Sequence, residues 1–230
     1  TLACRRNAYK HRHSYSCSSI KELAELLNKE SDSSLVAGDF DIAFMFPGQG
    51  SQFVGMSVEL YNKGGVFKEE LDRLMTLFQA HLAIDLCSIL WGQDKTKNIN
   101  DTIYAQPLLF IIEYALGKQL IAWGVEPNIM IGHSIGEFAA FCLAGMISVE
   151  DAVILVSERA SLMHAINKGK MYSVHSEEEV IMPLLPAGLS IAAINTKDLL
   201  VVSGNEDVME KFLQIADENG ITYGQLHTSA

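Results

Sequence analysis

Apolar residues recur at helical spacing through SIKELAELLN (19–28), and the turn-rich run ESDSSLVAGD after it breaks the pattern; the two read as a short helix and a linker. A new pattern starts near Asp41. The continuous apolar run IAFMF (42–46) has the length of a buried strand, and PGQGSQ (47–52) stops it as a loop punctuated by proline and glycine. Amphipathic segments fill residues 54–90, QDKTKNIND (93–101) is polar and irregular, and residues 107–123 form a strongly apolar helix. PNIMIGH (127–133) then reads as a strand, and EFAAFCLAG (137–145) as a helix closed by Gly145. Ser148 with Asp151 three residues on has the spacing of a capping box, opening a helix that runs past Arg159.

Residues 171–227 carry a pattern of their own. MYSVH (171–175) is a strand, SEEEVIMPLL (176–185) a capped helix, and LSIAAIN (189–195) and LLVVSGN (199–205) two strands around the turn TKD. EDVMEKFLQIADENG (206–220) is a helix, and ITYGQLH (221–227) closes the series as a strand. The order β-α-β-β-α-β predicts a split-βαβ, ferredoxin-like unit.

Composition narrows the class. Over 230 residues, 49% hydrophobic and 20% charged content argues against disorder and fits one large domain or two small ones. A formal net charge of −11 opposes non-specific binding to nucleic acid or anionic membrane, since the phosphate-driven term becomes repulsive. Only residues 1–29 run the other way: Arg5, Arg6, Lys10, Arg12, Lys21 and Lys29 stand against Glu22 and Glu25, which reads as a solvated basic face. Cys4, Cys17, Cys87 and Cys142 lack C-x-x-C spacing, so neither a metal site nor a disulfide framework is expected. Without a charged-then-apolar leader or a long apolar stretch, the chain reads as soluble and cytoplasmic.

The chemistry concentrates in GHSIG (132–136). A strand feeding into this frame and on into a helix is the context of a nucleophile elbow, which presents Ser134 at a helix N-terminus where backbone N–H groups can meet an oxyanion. Gly132 and Gly136 are expected because strand and helix pack too closely there for side chains. A serine in this position can also simply cap the following helix. PGQGSQ again follows a strand directly, and its small residues let the backbone approach a ligand. It is an ordinary turn in isolation, but an acyl-transfer site needs a second N–H from a loop other than the elbow, and this loop is a suitable donor.

FMFPGQGSQFVGM, AQPLLFIIEYALGKQLIAWGVEP, GHSIGEFAAFCLAG and SERASLM together resemble the malonyl-CoA:acyl carrier protein transacylases, and more closely the acyltransferase domains of modular polyketide synthases; the matches extend over nearly all of residues 41–229. TLACRRNAYKHRHSYSC at the start looks like the end of a ketosynthase-to-acyltransferase linker. The resemblance implies an α/β fold: a linker end over 1–40, a hydrolase-like large subdomain over 41–169, and an inserted ferredoxin-like βαββαβ small subdomain over 170–228. It also implies a ping-pong reaction, in which Ser134 takes a malonyl group from coenzyme A and passes it to the phosphopantetheine thiol of an acyl carrier protein.

By motif match Ser134 is the nucleophile, and the backbone N–H groups of Gln49 and Ile135 form the oxyanion hole. Arg159 grips the free carboxylate of the extender unit, a role for which a planar guanidinium is suited by its paired hydrogen bonds. By the same match Gln49, His133 and Asn195 join Arg159 as substrate-binding residues, although a turn-forming role explains Asn195 equally well. No metal and no bound cofactor are implied; the partners are malonyl-CoA, the carrier protein and a neighbouring ketosynthase domain. Ile135 directly after the nucleophile and DTIYAQP (101–107) upstream resemble the malonyl-selective form.

Family members place the base, a histidine, just after the small subdomain. His11, His13, His81, His133, His164, His175 and His227 do not match that position, so the base and the rest of the large subdomain are expected beyond residue 230. Two readings compete with a transferase. A docking or scaffold module would keep the fold without the chemistry, and a serine esterase would need an Asp/Glu and then a His downstream of Ser134 but not Arg159.

Overall fold

The computed structural model describes residues 11–12, 14–29, 34–35, 41–165 and 169–226, and the chain divides into two units, Thr1–Asp41 and Ile42–Ala230. In the first, β1 (His11–Arg12) pairs antiparallel with β2 (Ser34–Leu35), with α1 (Ile20–Leu27) between them in sequence. Ser19 caps α1 by accepting the Glu22 N–H at 3.2 Å, and the Glu22 carboxylate reaches back to the Ser18 N–H at 2.8 Å, which is why the helix begins where the spacing predicts. Most of the expected linker, 30–33 and 36–40, lies outside the described residues.

The second unit opens with β3 (Ala43–Phe46), where Phe44 and Phe46 are buried and Met45 between them is exposed, as alternation along a strand requires. Helices α2 (Val58–Lys63), α3 (Val66–Leu82) and α4 (Leu86–Leu90) account for the amphipathic segments; α3 buries Phe67, Leu71, Leu74 and Phe78, a single stripe at 4-, 3- and 4-residue steps. Helix α5 (Thr102–Ala122) is apolar on all faces and packs against α3.

Helix α5 starts five residues before the expected Pro107. The Asp101 carbonyl takes the N–H groups of Tyr104 and Ala105, both at 2.9 Å, and burial of Thr102, Tyr104, Ala105 and Gln106 holds the first turn, so packing overrides the proline as a start signal.

Strand β4 (Ile129–Gly132) pairs in parallel with β3, Ala43 opposite Ile129 and Phe46 opposite Gly132. Parallel pairing brings the two carboxyl ends together, and there PGQGSQ and GHSIG leave the sheet side by side. Helices α6 (Gly136–Leu143) and α7 (Val149–Ala165) then pack on α5. The Ser148 hydroxyl bonds the Asp151 carboxylate at 2.6 Å and accepts its N–H at 3.0 Å, the expected capping box in place.

From β5 (Lys170–His175) the chain follows the predicted order through α8 (Glu178–Ile181), β6 (Leu189–Thr196), β7 (Leu199–Gly204), α9 (Glu206–Glu218) and β8 (Thr222–Leu226). The strand order β6-β7-β5-β8, antiparallel at every pairing, is the ferredoxin-like arrangement, in which each helix-linked pair of strands is split by a third. Val174, Leu200, Val202, Met209 and Phe212 form its own core, separate from the cluster around α5. Helix α8 is shorter than the sequence predicts. Glu177, not Ser176, occupies its N-cap, without a side-chain cap bond, and Pro183 turns the remainder into a 3-10 turn at Met182–Leu184.

Candidate active site

Ser134 has φ +54°, a left-handed conformation that a non-glycine residue adopts only when its surroundings over-determine it. The neighbours supply that constraint. A Cβ on Gly132 would overlap the backbone of Glu137, and one on Gly136 would overlap the carbonyls of Phe46 and Pro47, so only glycine lets the turn close between strand and helix. The steric reason inferred from the sequence is the one observed.

The Pro47–Gln52 loop lies directly against this turn. The His133 N–H donates to the Phe46 carbonyl at 2.9 Å, and a side chain on Gly48 would run into the His133 imidazole. Ile135 is fully buried, and among the described residues no acceptor takes its N–H. Gln49 is half-buried, with its side-chain amide directed at Thr102 Oγ1 (3.2 Å) and the Asn100 carbonyl (3.4 Å).

Arg159 on α7 comes to the elbow across 25 positions of sequence, and its Nη2 donates to Ser134 Oγ at 2.9 Å. Its Nη1 is buried without a hydrogen-bond partner among the described residues. Burial pulls the guanidinium below its ordinary pKa, opposed by the nearby Glu137 carboxylate, and arginine remains a cation under such a shift. A half-buried cation with one unpaired edge beside Ser134 is suited to pairing with an anion.

The other predicted positions divide. His133 is exposed beside the loop, and its side chain makes no hydrogen bond to Ser134 Oγ. Asn195 is exposed near the end of edge strand β6, and no hydrogen bond joins it to Ser134 or Arg159. His81, His164 and His175 are exposed on α3, α7 and β5, and among the described residues no histidine is bonded to Ser134. His13 and His227, and the side chain of His11, lie outside the described residues. Among the described residues no group of His, Cys, Asp or Glu could hold a metal ion, and no helix is long and apolar enough to cross a membrane.

Sequence reading passed over two features. Gln52, 8% exposed, accepts the Gly50 N–H at 2.8 Å and donates to Asn100 Oδ1 at 2.8 Å, tying the loop to the polar stretch that looks merely irregular in one dimension. Glu113 on α5 is 7% exposed with neither carboxylate oxygen bonded, and burial alone pushes it up to about 8. It borders an apolar cavity of about 400 Å³ between β3 and α5, which includes neither Ser134 nor Arg159. A carboxylate in the middle of the apolar run LLFIIEYAL (108–116) was the available signal for Glu113.

Residues 43–226 match the model of the acyl transferase domain family. Mycoketide-CoA synthase of Mycobacterium tuberculosis is 40% identical over 192 residues, 81% of this chain but 5% of that protein. The acyltransferase domain from the second module of the salinomycin polyketide synthase superposes with a TM-score of 0.85 at 33% identity, over 98% of this chain and 55% of that one. The malonyl CoA-acyl carrier protein transacylase of Clostridium perfringens gives 0.72 at 28% identity, over 83% and 62%. The chain thus spans about half of the solved polyketide synthase domain and a small fraction of the curated synthase. An elbow serine beside a half-buried arginine, on an α/β fold shared with polyketide synthase acyltransferases, is accounted for by one conclusion: this chain belongs to the acyl transferase domain family.

Proposed function

We propose that this chain moves a malonyl extender unit from coenzyme A to the phosphopantetheine thiol of an acyl carrier protein through a seryl-enzyme intermediate, within polyketide biosynthesis. Ser134 Oγ attacks the thioester carbonyl: a C–O bond forms, the C–S bond breaks, and the hydroxyl proton passes through a general base to the departing thiolate. The carrier thiol then attacks the seryl ester and regenerates Ser134. Charge building on the carbonyl oxygen is met by the N–H groups of Ile135 and Gln49 at the carboxyl ends of the parallel strands. The domain binds no cofactor of its own on this reading; a carrier protein and a neighbouring ketosynthase are its partners, and Asn195 and His133 flank the substrate.

The observation that carries the reading is the half-occupied Arg159 guanidinium, with one arm on Ser134 Oγ at 2.9 Å and the other buried and unpaired. A malonyl group on Ser134 places a carboxylate within reach of that cation; an acetyl group leaves the cation unsatisfied. Charge-assisted bonds of this kind are worth about 1.5–3 kcal/mol, or roughly ten- to a hundredfold in rate. In the full-length protein, Arg159→Ala is expected to cut malonyl loading of Ser134 by about that factor while leaving acetyl loading unchanged or raised. Equal loss for both thioesters in a folded variant contradicts the role. Continued turnover of uncharged esters with no preference lost would instead indicate an esterase.

A further inference from the structure

Within the loop credited with half of the oxyanion hole, the Ser51 hydroxyl donates to the Gly48 carbonyl at 3.2 Å. The loop contains Gly48 and Gly50, the latter at φ +119°, and Gly50 and Ser51 are exposed, so glycine adds backbone freedom on both sides of Gln49. An oxyanion donor accelerates a reaction only when it is held in place before the charge appears. Elbow contacts fix one end: Phe46 accepts from His133, and Gly48 lies against the imidazole. The other end is fixed by a side chain.

We infer that Gln52 is a positioning residue for acyl transfer, its buried amide clamping the Gln49 loop to residues 100–102 at the start of α5. Both ends of the amide are used. Oε1 accepts the Gly50 N–H at 2.8 Å, which locks the glycine turn immediately after Gln49. Nε2 donates to Asn100 Oδ1 at 2.8 Å, and the Gln49 side chain reinforces the same junction by donating to Thr102 Oγ1. Asn100 is itself oriented, since its N–H donates to Asn98 Oδ1 at 3.1 Å, and Thr102 is fully buried in the first turn of α5. The polar stretch 98–101 is therefore an abutment for the oxyanion loop, and it continues directly into the segment 101–107. Gln52 touches no reacting atom; it acts through Gln49.

This inference rests on the proposed acyl transfer, and the experiment separates the two. Single-turnover loading of Ser134 by malonyl-CoA is followed in the full-length protein for wild type, Gln52→Met, Asn100→Leu and the double variant, alongside thermal melting. Loss of one oxyanion donor costs about a hundred- to a thousandfold, and a donor left mobile rather than removed costs less, so each single variant is expected to lower the maximal loading rate about ten- to a hundredfold. The half-saturating malonyl-CoA concentration should stay within about threefold, because ground-state binding is not what the clamp serves. The double variant should lose no more than Gln52→Met alone, since that variant already removes the bond to Asn100 along with the one to Gly50. An unchanged maximal rate, a loss confined to half-saturation, or losses that multiply would each overturn the clamp. If Gln52→Met fails to fold, Asn100→Leu carries the same rate criterion from the other side. A wild-type protein that never loads refutes the acyl-transfer reading itself.

Discussion

Ser134, Arg159 and Glu113 are each unusual for their surroundings, and the first two belong to the candidate site. Ser134 sits in a strained backbone conformation, Arg159 is a half-buried cation with an unpaired Nη1, and Glu113 is a buried acid without a hydrogen-bond partner among the described residues. The first two meet at 2.9 Å, so the strain and the unpaired charge are spent in one place. Glu113 lies apart and has a consequence for stability. Its carboxyl holds a proton more tightly folded, to about 8, than its ordinary value of 4.5, so folding releases no penalty below the ordinary value and stability falls as pH rises from there through about 8. At about 1.4 kcal/mol per pH unit, the loss is on the order of a few kcal/mol. Urea unfolding at pH 5, 7 and 9 should show this decline in the wild-type protein, and Glu113→Gln should flatten it; identical slopes would mean the carboxyl finds a partner in solution.

At the level of elements, the legible parts of the sequence were those whose signal is local. The Ser148–Asp151 spacing gave the start of α7, the short continuous apolar run gave β3, and the strand-glycine-serine-glycine-helix order gave the elbow, because each signal lies within a few consecutive residues. What one dimension hid were contacts across it. Burial extended α5 past the proline that marked its expected start, and Pro183 cut α8 short although its apolar spacing continued. The Gln52–Asn100 bond spans 48 residues and leaves no periodic trace. The start of α7 bears on the site because Arg159 rides on that helix, ten residues beyond its first residue. Arg73 of α3 adds a 2.7 Å ion pair to Glu150 there, but both side chains are exposed and screened by solvent, so the cap matters more. Ser148→Ala is expected to lower stability by about 1 kcal/mol, read from denaturant midpoints at constant m, with the Arg159-dependent preference for malonyl retained.

On the scale of the molecule, two cores divide the labour. The α5-centred cluster builds the parallel pair whose carboxyl ends carry both loops, while the antiparallel βαββαβ unit is complete around its own Val174, Leu200 and Phe212. Family membership follows from matches across both parts, and the likeness to polyketide synthase acyltransferases covers 98% of the chain. The central claim is that Ser134 becomes the covalent carrier of a carboxylate-bearing acyl group. Incubating the full-length protein with malonyl-CoA, then mapping peptides by mass spectrometry, tests it most directly. The account predicts one malonyl group on the peptide containing Ser134, its absence in Ser134→Ala, and much weaker labelling by acetyl-CoA; an unlabelled Ser134, or a malonyl group retained by Ser134→Ala, would contradict it.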